Sequence, residues 1–266
     1  MRCLILKIIL VSCCAIILFA CSRQQYDLRV GVMAGAEEEL AEIAKEIAES
    51  RYQLKVKLIV FSDYQLPNIA LHQKEIDLNI FQHIPYLEEE IVRKKYDFEV
   101  VGKTFLFPIV GYSYKYKQLE EIPNKAKVGI TTDPTNQGRA LLLLQELGLI
   151  VLKDNVGYVP TVLDIVKNDK KLIFNEIDAA QLPRTLVDLD FAIINNSFAS
   201  HSGLTEDEHG LFKESIDSPY VNVIVANKGD YDKEKIKQFI QAYQSDKVLN
   251  KAKLLFDNNV VAVWKE

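Results

Sequence analysis

The residues of this chain best placed to do chemistry stand where apolar strand patterns give way to helical ones. Asp133-Pro134-Thr135-Asn136-Gln137-Gly138-Arg139 is such a junction. Backbone N–H groups and the helix dipole attract an anion at a helix start. Asp133 can cap there, with Pro134 at the first helical position. Arg139, leaning back toward the N-terminus, can point at a cleft. Its guanidinium is a planar fork that matches a carboxylate through two bonds, and an amino-acid carboxylate would fit. The same residues also suit a capped helix whose arginine lies on a solvated face.

Phe81-Gln82-His83-Ile84-Pro85-Tyr86-Leu87 forms a second junction of this kind. Phe81 and Tyr86 can bury an apolar ligand group, and His83 can donate or accept a hydrogen bond. Alternatively the aromatics belong to the core and His83 satisfies backbone groups. Tyr64, after Phe61-Ser62-Asp63, offers another aromatic wall, and Asn68 in the following turn can reach inward. Thioethers bind aromatic faces and edges favourably, at roughly 0.3–1.5 kcal/mol per contact. Asn195, in Asn195-Asn196-Ser197, follows an apolar strand, and Asn222 lies on another strand near Tyr220. Amide oxygens can accept bonds from an ammonium without adding charge; asparagine is also an ordinary turn residue.

His72, His83, His201 and His209 lack metal-ligand spacing, so no metal or cofactor is expected. The chain carries no Gly-x-Ser-x-Gly elbow and no Gly-x-x-x-x-Gly-Lys-Ser/Thr phosphate loop. An enzyme is therefore not expected. The acidic runs Glu37-Glu38-Glu39 and Glu88-Glu89-Glu90 are read as solvated helix faces.

The elements that must position these residues fall into two similar runs. In the first, a strand at Leu28 to Met33 precedes a helix from about Glu37, with Leu40, Ile43, Ala44, Ile47 and Ala48 on one face. Strand Leu54 to Phe61, helix Pro67 to Gln73, strand Asp77 to Ile80 and helix Pro85 to Lys94 follow. A β-rich stretch from Phe98 to Tyr116 closes the run. The second run has strand Lys127 to Thr131, helix Thr135 to Leu147 stopped by Gly148, strand Val156 to Val159 and helix Thr161 to Asn168. Strands near Glu176 to Ala179 and at Phe191 to Ile194 complete it. Tyr220 to Ala226 returns the chain to the first lobe, which ends in a helix carrying Ile236, Phe239, Ile240 and Tyr243. Alternating strands and helices of this kind predict an α/β protein with two doubly wound sheets. Lobe 1 is expected over 27–111 and 223–266, lobe 2 over 112–222, and the two crossings between them make a two-strand hinge. The βα loops of both lobes would line one cleft, which closure would bury.

A different logic governs the start. Arg2 and Lys7 precede an apolar run from Ile8 to Ala20, which is too short to span a bilayer and reads as a secretory signal peptide over 1–20. It ends in Leu18-Phe19-Ala20-Cys21. All four cysteines, Cys3, Cys13, Cys14 and Cys21, lie in this region, so the processed chain would keep Cys21 alone and form no disulfide framework. Cleavage removes Arg2 and Lys7 from 32 basic residues, leaving 30 against 37 acidic ones, a formal charge of −7. That acidity argues against a nucleic-acid partner. Residues 21–26 read as a short tether.

The Leu18-Phe19-Ala20-Cys21 tetrad resembles the lipobox of bacterial lipoproteins, which implies lipidation at Cys21 and a body outside the cytoplasm. Along nearly the whole mature chain the sequence resembles the NlpA family of methionine-binding lipoproteins. The blocks that carry the resemblance are Phe61-Ser62-Asp63-Tyr64, Phe81-Gln82-His83 with Pro85-Tyr86-Leu87, and Asp133-Pro134-Thr135-Asn136 with Gly138-Arg139. To these are added Asp178 to Arg184, Ile194-Asn195, and Ser218-Pro219-Tyr220 with Asn222. The resemblance implies a two-lobed type II periplasmic-binding-protein fold, L-methionine or a close analogue as ligand, and an ABC permease with its ATPase as partners. A monomer is expected. By the same resemblance Arg139 would take the ligand carboxylate, and Asn195 and Asn222 would help with the ammonium or carboxylate. Tyr64, Phe81 and His83 would enclose the thioether, with Asn136 in the same site. The chain departs from the family pattern at Gly35-Ala36, at Asn168-Asp169-Lys170, and at Ser197-Phe198, where an Asn-Tyr pair is common. Ser197 removes an amide from the cleft rim. Alternatives are a receptor for another small amino acid, methionine derivative or dipeptide, and an adhesin or signalling lipoprotein on the same scaffold.

Overall fold

A computed structural model describes residues 26–229, 231–256 and 260–265; the signal segment, Cys21 and the tether up to residue 25 lie outside the described residues. The chain opens with β1 (Leu28–Met33), α1 (Ala36–Tyr52), β2 (Val56–Phe61), α2 (Leu66–His72), β3 (Leu78–His83), α3 (Ile84–Lys94) and β4 (Phe98–Leu106). It continues through β5 (Val110–Tyr112), β6 (Lys127–Thr131), α4 (Pro134–Glu146), β7 (Val151–Leu152), β8 (Ile165–Lys167) and β9 (Ile173–Ile177). Then come α5 (Leu182–Thr185), β10 (Phe191–Ile194), α6 (Asn196–His201), α7 (Glu206–His209) and β11 (Gly210–Lys213). The last elements are β12 (Val221–Asn227), α8 (Lys233–Tyr243), α9 (Asp246–Leu255) and β13 (Val261–Ala262).

Two sheets organise the molecule. The first has the order β13-β4-β12-β3-β1-β2, the second β11-β5-β10-β6-β9. Each is mixed rather than wholly parallel. In the first, β1 pairs in parallel with β2 and β3, while the returning β12 runs antiparallel between β3 and β4. In the second, β10 and β9 flank β6 in parallel, and β5 is antiparallel to β10. The parallel strands come from βα units; the antiparallel β4, β5, β11 and β12 flank the two crossings between sheets, and β13 adds an antiparallel edge beside β4.

The crossings lie earlier than expected. Val110 to Tyr112 pairs with Ile194 to Ala192 in the second sheet, which places the first crossing at residues 107–109 rather than after 111. The second falls at residues 214–220, because Val221 already pairs with Leu106 of the first sheet. Two expected elements are absent. Residues 156–159 form no strand; they lie over α4, where a Cβ on Gly138 would meet the Tyr158 carbonyl and stand 2.8 Å from Pro160 Cδ. Helix Thr161 to Asn168 is also replaced. Thr161 and Asp164 close a reciprocal cap on one tight turn, and Ile165 to Lys167 then pairs with β7. Two β-branched residues, Ile165 and Val166, favour that strand.

One core lies between the first sheet and helices α1, α8 and α9, around Leu40, Ala44, Phe105, Phe239 and Tyr243. Burying a Leu or Phe of this kind contributes roughly 1.5–3 kcal/mol. A second core fills the other lobe around Val128, Ile130, Leu141, Leu144 and Phe191. A third cluster joins the lobes, packing Met33, Phe81 and Tyr86 of the first against Ile194, Phe198 and Leu182 of the second. This cluster closes the cleft.

Candidate functional site

Between the lobes lies a small cavity of about 30 Å³, lined by Glu37, Tyr64, Phe81, Gln82, His83, Tyr86, Phe107, Asn136, Arg139, Asn195, Asn196, Ser197 and Asn222. Tyr64, Phe81, His83, Asn136, Arg139, Asn195 and Asn222, singled out from sequence, all reach it. Asn68 does not: its buried amide is bonded to Gln82 at 3.0 Å and to Asn79 at 2.9 Å.

One wall is aromatic. The Tyr64 ring stands 5.8 Å from Phe81, 6.1 Å from Tyr86 and 4.7 Å from Phe198. Tyr86 Oη donates to the Tyr64 carbonyl at 2.9 Å, which fixes the loop after β2. Burial raises the Tyr64 phenol, so it remains a neutral donor and gives its hydrogen to Ser197 Oγ at 3.3 Å.

His83 is both the last residue of β3 and the N-cap of α3. Its Nδ1 accepts from the Tyr86 backbone N–H at 3.1 Å, so the ring proton sits on Nε2 and is donated to Asn136 Oδ1 at 3.1 Å. Burial, and then the positive charge of Arg139, pull its pKa down to about 3. His83 is therefore a neutral ring at physiological pH. Asn136 Oδ1 also accepts from Asn195 Nδ2 at 2.6 Å, and Asn136 Nδ2 donates to Asp133 Oδ1 at 2.9 Å. The polar atoms of Asn136 are thus engaged within the protein, and it orients His83 and Asn195.

The helix start at Asp133 differs from expectation. Asp133 caps α4 by accepting from the Asn136 backbone N–H at 2.9 Å, with Thr131 Oγ1 on its other oxygen at 2.9 Å. The place foreseen for a ligand anion at this N-terminus is taken by the chain's own carboxylate.

Arg139 is buried, and its fork is also spoken for. Nε donates to Glu214 Oε1 at 2.9 Å, Nη2 donates to Glu214 Oε2, and Nη2 reaches the Phe107 carbonyl at 3.0 Å. Ser218 Oγ and the Ile109 N–H donate to the same carboxylate at 2.9 and 3.3 Å, and the guanidinium lies 4.4 Å over the Tyr220 ring. Phe107 and Ile109 belong to one crossing, Glu214, Ser218 and Tyr220 to the other. The two-bond fork predicted for a ligand is therefore spent on Glu214 and ties α4 to both crossings. Nη1 has no partner among the described residues and is the nitrogen left for a cavity ligand.

Three buried carboxylates were not foreseen: Glu214, Glu37 and, outside this cavity, Glu90, which the run Glu88-Glu89-Glu90 placed on a solvated face but which is buried and paired with Arg93. Glu214 gives no signal in sequence, because a lone glutamate in a connecting segment looks solvated. Glu37 stands in the run read as a solvated face, yet it is buried and lines the cavity. Gly35 is the N-cap of α1 at φ +96, a conformation open mainly to glycine, and it starts the helix with Glu37 on the inward face. The face of Leu40, Ala41 and Ala44, carried back one turn, falls on Glu37; that spacing is the signal that could have found it. Glu37 Oε1 accepts from Ser197 Oγ at 3.1 Å and Asn222 Nδ2 at 3.5 Å, whereas Oε2 is buried without a partner. Burial pushes its carboxyl up to about 8. Ser197, expected only to remove an amide, bridges Tyr64 and Glu37 of the first lobe from α6 of the second.

The polar atoms without protein partners among the described residues include Glu37 Oε2, Asn195 Oδ1, Asn222 Oδ1 and Arg139 Nη1. Three acceptors and one cationic donor beside an aromatic wall are complementary to a small zwitterion with an apolar side chain. No group of three His, Cys, Asp or Glu residues among the described ones could hold a metal ion.

Two α/β lobes, linked by two crossings and closed over a buried cavity lined from both sides, define a solute-binding protein of the two-lobed periplasmic class. The profile of the NlpA lipoprotein family matches residues 28–264. A Yersinia pestis protein named D-methionine-binding lipoprotein MetQ is 50% identical over 239 residues, covering 89% of this chain and 88% of its own. The chain belongs to the NlpA lipoprotein family. Among solved structures, an ABC transporter periplasmic substrate-binding protein from Coxiella burnetii is 42% identical with a TM-score of 0.84, covering 88% of this chain and 99% of its own. A nutrient-binding protein from Burkholderia cenocepacia, solved bound to methionine, is 41% identical with a TM-score of 0.85 over the same shares.

Proposed function

We propose that this protein is a lipid-anchored receptor that captures methionine between its lobes and delivers it to an ABC permease driven by a separate ATPase. The observation that carries the reading is the cavity itself: Tyr64, Phe81 and Tyr86 make an aromatic wall for a thioether, opposite unpartnered acceptors and Arg139 Nη1. The polar end suits an α-amino acid, and the aromatic end favours sulfur over a plain hydrocarbon by contacts worth roughly 0.3–1.5 kcal/mol each. Kinship with proteins named for D-methionine binding, and with one solved holding methionine, supports the same ligand.

Cys21 would hold the body at a membrane through acyl chains. At about 0.8 kcal/mol per buried CH₂, two or more chains anchor firmly. Among the described residues no helix is long and apolar enough to cross a membrane.

Calorimetry with refolded, ligand-free protein tests the reading against L-methionine, D-methionine and norleucine. Saturable binding of a methionine enantiomer, tighter than norleucine, is expected. Absence of binding to both enantiomers would sink it. Mass spectrometry of molecules released on unfolding freshly purified protein gives an independent check.

A further inference from the structure

Glu37 combines three properties that ordinary buried carboxyls lack together. It sits in the first turn of α1, where the helix dipole favours an anion. One of its oxygens is held by Ser197 and Asn222, so the group is oriented. The other is buried in the lining of the cavity and accepts no bond. A buried polar atom left in this way costs free energy unless something comes to satisfy it.

The groups facing Glu37 come from every element packed around it. Ser197 approaches from α6, Asn222 from β12, Tyr64 from the loop after β2 and Tyr243 from α8; the two tyrosines are neutral and carry no positive charge. The cations of the site do not serve it: Arg139 is paired with Glu214, and His83 is uncharged. With burial raising its pKa to about 8, Glu37 is a carboxylic acid at neutral pH while the cavity is empty.

We propose that Glu37 reads a protonated amine on the ligand, its Oε2 accepting an ammonium N–H while its own carboxyl proton leaves to solvent on capture. The proton balance is simple: a neutral carboxylic acid and an ammonium become a carboxylate–ammonium pair, and one proton passes to buffer. This rests on the reading of the cavity as an amino-acid site and adds how that site selects an amine. Because a proton is released, affinity must rise with pH, approaching tenfold per unit below the pKa of the empty site.

The test uses the full mature chain with methionine and its des-amino analogue, 4-(methylsulfanyl)butanoate. Calorimetry at pH 6.5 in two buffers of different ionisation enthalpy counts protons. Wild type is expected to prefer methionine on the order of 100-fold, as loss of one partner of a buried charged pair implies, and to release about one proton per methionine bound. In Glu37→Gln, thermal unfolding checks the fold, the preference collapses toward parity, and the proton release disappears. Glu37→Gln that keeps the full preference, or wild type that releases no proton, overturns the role of Glu37 while leaving methionine capture standing. Wild type that binds neither compound overturns the methionine reading and this inference with it.

Discussion

Arg139 and Glu37 are buried ionisable side chains lining one cavity from opposite lobes, and they are treated in opposite ways. Arg139 has its charge matched inside the protein by Glu214, the Phe107 carbonyl and the Tyr220 face, with Nη1 alone left over. Glu37 has partners on one oxygen and none on the other. The first arrangement satisfies a permanent charge and ties lobe to hinge. The second keeps a charge in reserve, to be formed when something cationic arrives. A buried ion is thus structural where its partners are built in, and recognitive where one is missing.

The largest effect should come from breaking the complete pair. Glu214→Ala strands the Arg139 guanidinium and is expected to lower unfolding free energy by about 3–5 kcal/mol in chemical denaturation. Loss below 1 kcal/mol would mean that water replaces Glu214 and that the two ions are not treated differently after all. Arg139→Ala strands Glu214 instead and should weaken both stability and methionine affinity, whereas a purely ligand-facing arginine would affect affinity alone.

The pH dependence of ligand-free stability sharpens the contrast, because the group held in reserve titrates. Glu37, raised from 4.5 to about 8, binds its proton more tightly when folded, so its contribution is full below pH 4.5 and is lost as pH rises toward 8. His83, lowered from 6.5 to about 3, contributes above pH 6.5 and loses that contribution as pH falls toward 3. From these two groups alone, stability should rise from pH 3 to 4.5, stay level to 6.5, then fall toward pH 8. The limiting slopes are about 1.4 kcal/mol per unit. Glu37→Gln should remove the decline above pH 6.5; a decline that persists in this variant assigns it to another group.

Smaller effects are expected from the framework of each side. Asp133→Ala removes the α4 cap and should cost about 1 kcal/mol of stability. Tyr64→Phe removes only the bond to Ser197, with about 0.5–1.5 kcal/mol at stake. Both are read by denaturant midpoints at unchanged slope. If Tyr64→Phe instead costs as much as Glu214→Ala, the link from Tyr64 through Ser197 to Glu37 is a structural clamp rather than a support for a waiting carboxyl.

Much of the architecture follows from local pattern. The βα units up to α3, the helix beginning at Asp133-Pro134 and the strand Phe191–Ile194 obey periodicity and capping rules that operate within a few residues. Tyr64, Phe81 and His83 were traceable because they stand at or just past a strand end, and Asn136 and Arg139 because they lie in the first turns of the helix that follows one, whereas Asn195 and Asn222 were singled out by the family resemblance. The helix expected at Thr161 to Asn168 failed for the opposite reason. Its apolar run was ambiguous locally, and pairing of Ile165 to Lys167 with β7 resolved it as strand.

The sequence by itself pointed to seven of the residues that line the cavity, since strand ends and helix starts are written in short-range spacing, but it misplaced Asn68 and passed over Glu37. Only the tertiary structure decided what each of them does there. Arg139 and Glu214 are 75 positions apart, and Glu37 and Ser197 are 160 apart. Whether a charge is paired, half-paired or solvated depends on lobe closure and on the water it excludes. Those are properties of the packed chain, and no local pattern encodes them.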